Sequence, residues 1–211
     1  MTASSAHEAE WYVGLMSGTS LDGVDAVLVE FQDKSPPRLV GSYYLPYDDT
    51  LRAQLLALHV PQSDEIHLAA CTANELARLY ASAVETLTAG HARDRIRAIG
   101  CHGQTLRHRP DCGYTLQIGN AALLAELTGM SVVADFRSRD IAAGGQGAPL
   151  VPAFHAHVLR HPTQHSVIAN VGGIANITDL PTNAPVRGWD TGPGNMLMDG
   201  WIHRHRQAHY D

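Results

Sequence analysis

Along residues 11–47 apolar and polar positions alternate in three runs. Val13 and Leu15 lead into a polar, glycine-punctuated stretch at 17–23. In the second run Val27 and Val29 fall on one face and Ala26, Leu28 and Glu30 on the other, and residues 38–47 alternate again. A period of two marks strands, so the pattern predicts a β-hairpin at 14–31 and a third antiparallel strand after a turn at 32–37. The period then lengthens. Residues 51–60 read as a short helix closed by Pro61. Ile66, Ala69, Ala73, Leu76, Tyr80, Val84 and Leu87 recur at helical spacing in a long one, with Ser63 or Asp64 as its cap and Gly90 as its stop.

Residues 95–100 return as a buried strand that releases the chain into CHGQT, and 114–118 is another short strand. Asn120 caps a helix at 121–128 that Gly129 ends, and a strand at 131–134 runs into a charged, glycine-dense loop at 135–149. A helix is expected at 151–159. From residue 166 the opening pattern recurs: an apolar strand at 166–171, a turn at Gly172 and Gly173, an alternating strand at 174–180, a third at 186–189 and a helix from Met196. The chain reads as α/β with two similar halves. Three strands and one helix make an unfinished second half, so an uncovered sheet edge and apolar face are expected there.

Composition narrows the partners. The 211 residues, 45% of them hydrophobic, suffice for a sizeable core. A net charge of -6 with arginines scattered singly gives no basic stripe, which argues against nucleic acid. No apolar run approaches the roughly 20 residues of a membrane span. Residues 1–10 lack signal-peptide features and read as a disordered leader. Cys71, Cys101 and Cys112 show no CxxC spacing and are expected as free thiols in a reducing compartment. These features point to a cytoplasmic protein with a small-molecule partner and no membrane.

Four stretches carry candidate chemistry. In the hairpin loop, Gly18 and Gly23 permit positive φ and close backbone approach, Ser17, Thr19 and Ser20 offer hydroxyls, and Asp22 and Asp25 offer carboxylates, a kit suited to a phosphate and its metal. The same residues also make ordinary empty turns. A Walker loop is excluded, because it needs a lysine after its last glycine and the only lysine is Lys34, in a polar turn. In GWDTGPGN, at 188–195, a strand is expected to deliver Asp190 to its end and a sharp turn to aim the amides of the next helix at it, as suits a general base; a plain cap is the alternative. In the loop at 135–149, Arg137 and Arg139 suit a clamp on a carboxylate or phosphate, oriented by Asp135 and Asp140, with a structural ion-pair cluster as the alternative. His102 and Gln104 in HGQT offer groups suited to sugar hydroxyls. His203, His205 and His209 lack metal-ligand spacing and read as a solvated helix face, and NVGGIAN is a weak phosphate signal.

Taken together, SGTSLDGVD, GCHGQT, QIGN, ADFRSRDIAAGGQGAPLVPAFH, NVGGIANIT and GWDTGPGNMLMD resemble the anhydro-N-acetylmuramic acid kinase family, from about Trp11 to Asp211. The resemblance implies an actin-like ATPase (ribonuclease H-like) fold whose first half is complete, at 11–134, and whose second, at 135–211, is truncated. It implies ATP-dependent hydrolytic opening and phosphorylation of 1,6-anhydro-N-acetylmuramic acid to N-acetylmuramic acid 6-phosphate in peptidoglycan recycling. Gly18, Thr19, Ser20, Leu21, Asp22, Gly23, Val24 and Asp25 would form the ATP-phosphate loop, working with Mg2+ whose ligands stay unassigned. Asp190 would be the general base and Arg139 would face the lactyl carboxylate, with His102 and Gln104 as weaker substrate candidates. A homodimer is possible in this family. Its members continue well beyond this length, so an N-terminal part, inactive alone, is expected. The alternatives are a non-catalytic sugar-binding or regulatory fragment, a fragment with no stable fold, and a glycosidase using Asp190 and Asp140, which would have no use for the phosphate loop.

Overall fold

The computed structural model describes residues 9–33 and 35–208. Most of the leader expected at 1–10, the turn residue Lys34 and the tail residue His209 lie outside the described residues. The described residues form two compact units: the first holds those up to Ser17, Leu21–His108 and Leu116–Phe136; the second holds Gly18–Ser20, Arg109–Thr115 and those from Arg137 on.

The alternation at the start of the chain folds as expected. β1 (Glu10–Met16) pairs antiparallel with β2 (Gly23–Phe31), which pairs antiparallel with β3 (Arg38–Pro46). The register sets Val13 opposite Leu28 and Leu15 opposite Ala26, so these four side chains enter the same core. Two helices follow, α1 (Asp49–Ala57) and α2 (Glu65–Thr88). α2 turns Leu76, Ala77, Tyr80, Ala83, Val84 and Leu87 onto the sheet, and full burial of each large apolar side chain contributes about 1.5–3 kcal/mol. β4 (Ile96–Cys101) runs parallel to β1, and β7 (Val132–Val133) runs parallel to β4. The resulting order, β3-β2-β1-β4-β7 with β2 alone antiparallel, is the ribonuclease H-like order of an actin-like half.

Between β4 and β7 the chain makes a strand that periodicity did not predict, β5 (Gln104–Arg109), which pairs with β6 (Tyr114–Ile118) in a two-stranded sheet. α3 (Ala121–Thr128) has the caps expected of it: the Asn120 side chain accepts from Leu123 N at 3.0 Å, and Gly129 is left-handed. The expected cap of α2 fails. Asp64 occupies the N-cap position in a left-handed conformation (φ 58) and its side chain makes no capping bond, because a capping side chain reaches the first-turn amides from extended backbone.

In the second unit the segment at 135–149 is not all loop: it contains α4 (Ser138–Ala142). α5 (Pro152–Leu159) precedes a second antiparallel meander of β8 (Ser166–Val171), β9 (Ile174–Leu180) and β10 (Arg187–Pro193), followed by α6 (Met196–Arg206). The order β10-β9-β8 repeats that of β3-β2-β1. α5 covers one face of this sheet, where His155 Nδ1 meets Thr178 Oγ1 at 2.9 Å. On the sheet, Val167, Val171 and Trp189 are exposed, as are Leu197 and Trp201 on α6.

Candidate functional site

In the first unit the hairpin loop is held at both of its roots. Ser17, at the end of β1, is buried, and its Oγ lies 2.5 Å from the Tyr80 hydroxyl of α2. On the far side, the Asp22 carbonyl accepts from Tyr47 N at 2.9 Å and from the Tyr44 hydroxyl at 2.9 Å. The positive φ expected at Gly18 and Gly23 falls on Leu21 instead (φ 55). A left-handed leucine costs about 1–2 kcal/mol; here the side chain is buried in the core, which offsets it. Gly23 is needed for a different reason. A Cβ there would stand 2.5 Å from the Leu45 carbonyl oxygen, so this glycine lets β2 lie close to β3.

Gly23, Val24 and Asp25 are already part of β2. Partial burial, reinforced by the negative charge of Asp22, raises the Asp25 carboxyl above the usual aspartate value. At the end of β4, His102 N donates to Leu15 O at 3.1 Å, and its ring Nδ1 lies 2.7 Å from Gly103 O, so that nitrogen carries the proton. Gln104 is fully buried. Burial also pushes the Cys101 thiol up to about 11.

The second unit gathers the glycine segments. A Cβ on Gly173 would come within 2.7 Å of Thr19 Oγ1, so the β8–β9 turn runs directly against the tip of the hairpin loop. The turn is in turn bound by the end of β10: Gly194 N donates to Gly173 O at 2.8 Å and Asn195 N to Gly172 O at 2.9 Å, and a Cβ on Gly194 would collide with Gly172 O. Thr19, Ser20, Gly172, Gly173 and Gly194 therefore form one patch of backbone and hydroxyl groups. The weak NVGGIAN signal belongs to it, which its spacing alone did not reveal.

Asp190 is exposed and lies within β10 opposite Asn176, not at the strand's end; β10 continues to Pro193 after a bulge at Thr191. Among the described residues, no amide of α6 hydrogen-bonds its carboxylate. The Arg137 guanidinium is drawn below its ordinary value by burial, while the charge of Asp190 acts in the opposite sense. Arg137 Nη1 donates to Gly147 O at 2.5 Å, and Asp140 Oδ2 accepts from Gly147 N at 2.7 Å. Asp140 thus closes the GGQG loop instead of orienting the arginines. Asp135 is left-handed (φ 57), and Arg139 is exposed on α4. Among the described residues no group of three His, Cys, Asp or Glu could hold a metal ion. His205 packs against Trp201, the rings tilted by 45° with centroids 4.2 Å apart. No helix among the described residues is long and apolar enough to cross a membrane.

The family model for anhydro-N-acetylmuramic acid kinase matches residues 10–211. The chain is 72% identical over 211 residues to an anhydro-N-acetylmuramic acid kinase of Thiobacillus denitrificans, covering 100% of the chain and 57% of that relative. It is 57% identical over 208 residues to the corresponding kinase of Nitrosospira multiformis, covering 97% of the chain and 57% of that relative. The chain therefore spans a little over half the length of these curated relatives. A solved structure of an Aquifex aeolicus Ppx/GppA family member aligns with a TM-score of 0.42 at 10% identity, covering 91% of the chain and 54% of that structure.

Proposed function

Because the chain belongs to the anhydro-N-acetylmuramic acid kinase family, we propose that the full-length protein opens 1,6-anhydro-N-acetylmuramic acid with water and transfers the γ-phosphoryl of ATP to the freed O6. In this reading residues 11–134 form the first actin-like half, and residues 135–211 begin the other. The product is N-acetylmuramic acid 6-phosphate, formed in the cytoplasm during peptidoglycan recycling. Residues 1–211 alone are expected not to turn over.

The observation that carries this reading is the convergence of Thr19 and Ser20 with Gly173. Backbone amides and hydroxyls on close-packed glycine turns suit phosphate oxygens. In the reaction Asp190 takes a proton from water as the water oxygen bonds to the anomeric carbon. The bond from that carbon to O6 breaks, O6 bonds to the γ-phosphorus, and ADP leaves. Asp190, exposed and near the charge of Arg137, is open to a ligand. Arg139 faces the lactyl carboxylate through a charge-assisted hydrogen bond. His102 orients a sugar hydroxyl, and the buried Gln104 supports it.

Asp22 and Asp25 would be the acidic side chains that hold Mg2+: the charge of Asp22 raises the Asp25 carboxyl, a repulsion that a divalent cation would relieve. When bound, the metal would spread the charge of the transferring phosphoryl group. The test is a coupled assay of ADP release by the full-length protein. Release is expected only with both ATP and the anhydro sugar present. Ring opening without ATP would instead identify a glycosidase, and sugar binding with no ADP release in any condition would identify a non-catalytic module.

A further inference from the structure

Beside the hairpin loop lies a buried polar cluster that the proposed reaction does not use. Ser17 is 2% exposed and Tyr80 1% exposed, and their hydroxyls meet at 2.5 Å inside an otherwise apolar core. Tyr47, 9% exposed, completes the cluster: its hydroxyl lies near enough to Ser17 and Tyr80 to interact with both, yet among the described residues it completes no well-formed hydrogen bond. The same residue holds the other root of the loop, since its amide donates to Asp22 O. Buried polar groups in a native core normally complete their hydrogen bonds, and one that does not calls for an explanation.

The loop itself suggests the explanation. Between Ser17 and Asp22 the chain makes a left-handed step at Leu21, a conformation that persists only when its surroundings enforce it. Burial of Leu21 provides one anchor, and the Tyr44 and Tyr47 bonds to Asp22 provide a second. On the leading side, Ser17 is tied by its side chain to Tyr80. A phosphate loop binds tightly when it needs no reordering on binding.

We propose that the Ser17–Tyr80 hydrogen bond, with the Tyr47 phenol packed beside it, is a positioning device that fixes the loop's leading root, so that Gly18, Thr19 and Ser20 are already in shape for the ATP phosphates. This rests on the reading of the loop as a phosphate site. Tyr80 acts from α2 through Ser17 and is a positioning residue; it touches no substrate.

The test uses Tyr80→Phe, which deletes one oxygen and keeps the ring, and the pair Ser17→Ala and Ser17→Thr, of which the second restores a hydroxyl. In the unliganded protein, amide hydrogen exchange across 17–22 is expected to quicken about tenfold in Tyr80→Phe and Ser17→Ala, the size of effect one lost hydrogen bond produces. Ser17→Thr is expected to recover toward wild type. In the full-length protein, the KM for ATP is expected to rise by a similar factor in Tyr80→Phe while kcat stays within about twofold. A wild-type protein that binds ATP, paired with a Tyr80→Phe variant whose loop exchange and KM are unchanged, overturns this proposal alone. A fall in kcat with KM unchanged also overturns it. A full-length wild type indifferent to ATP removes the phosphate reading, and this proposal with it.

Discussion

Asp25 carries a measurable signature of the loop's chemistry. Its carboxyl is raised by partial burial and by Asp22, so folding disfavours the charged form relative to the unfolded chain. That contribution to stability is complete below the ordinary aspartate value of 3.8 and is lost as pH rises through the raised value, leaving a penalty at neutral pH. Asp25→Asn is therefore expected to melt higher than wild type at about pH 7 in metal-free buffer, and the gap should close on acidification toward about pH 3. Added Mg2+ should raise the wild-type midpoint more than that of the variant. A variant that melts lower at neutral pH would argue for a structural hydrogen bond at Asp25 instead. Gly194 makes a second prediction at this scale. Its missing Cβ leaves room for Gly172 O, so Gly194→Ala should destabilise the protein by about 1–3 kcal/mol, as overpacking does, in a urea melt.

Among the elements, α3 is the one most fully legible from residues alone. Asn120 and Gly129 act through bonds within a turn of the helix, so local chemistry decides them. Asn120→Ala is expected to cost about 1 kcal/mol, read from the shift of a chemical unfolding midpoint. The strands of the first meander were legible for a similar reason: their alternation is enforced by a core on one face. What escaped the sequence depends on tertiary partners. QTLRHR has little strand character of its own, and β5 forms because β6 lies beside it. α4 is a short turn whose flanking GGQG loop is tied by Arg137 and Asp140 to Gly147. Leu21 takes the left-handed conformation that glycine chemistry would assign to Gly18 or Gly23, because the core accepts its side chain. The candidate site divides in the same way. The motifs marked which segments carry chemistry, but the approach of Gly173 to Thr19 and the cluster of Ser17, Tyr47 and Tyr80 arise from packing between distant segments.

At the scale of the whole molecule, a three-stranded meander of the same order occurs twice, at residues 10–46 and 166–193. That repetition, with β2 alone antiparallel in the larger sheet, places the chain in the actin-like class of α/β folds, and the family match covers residues 10–211. The curated relatives are longer, and the proposed kinase reaction belongs to proteins of their length. In that proposal the chemistry turns on one carboxylate, Asp190. The most direct measurement is single-turnover chemistry in the full-length protein, with ATP and 1,6-anhydro-N-acetylmuramic acid, comparing wild type with Asp190→Asn. Loss of a general base should slow the chemical step by about 10²–10⁴, while the dissociation constants of ATP and sugar stay within about threefold. An Asp190→Asn protein that keeps more than about a tenth of the wild-type rate would contradict base catalysis by Asp190.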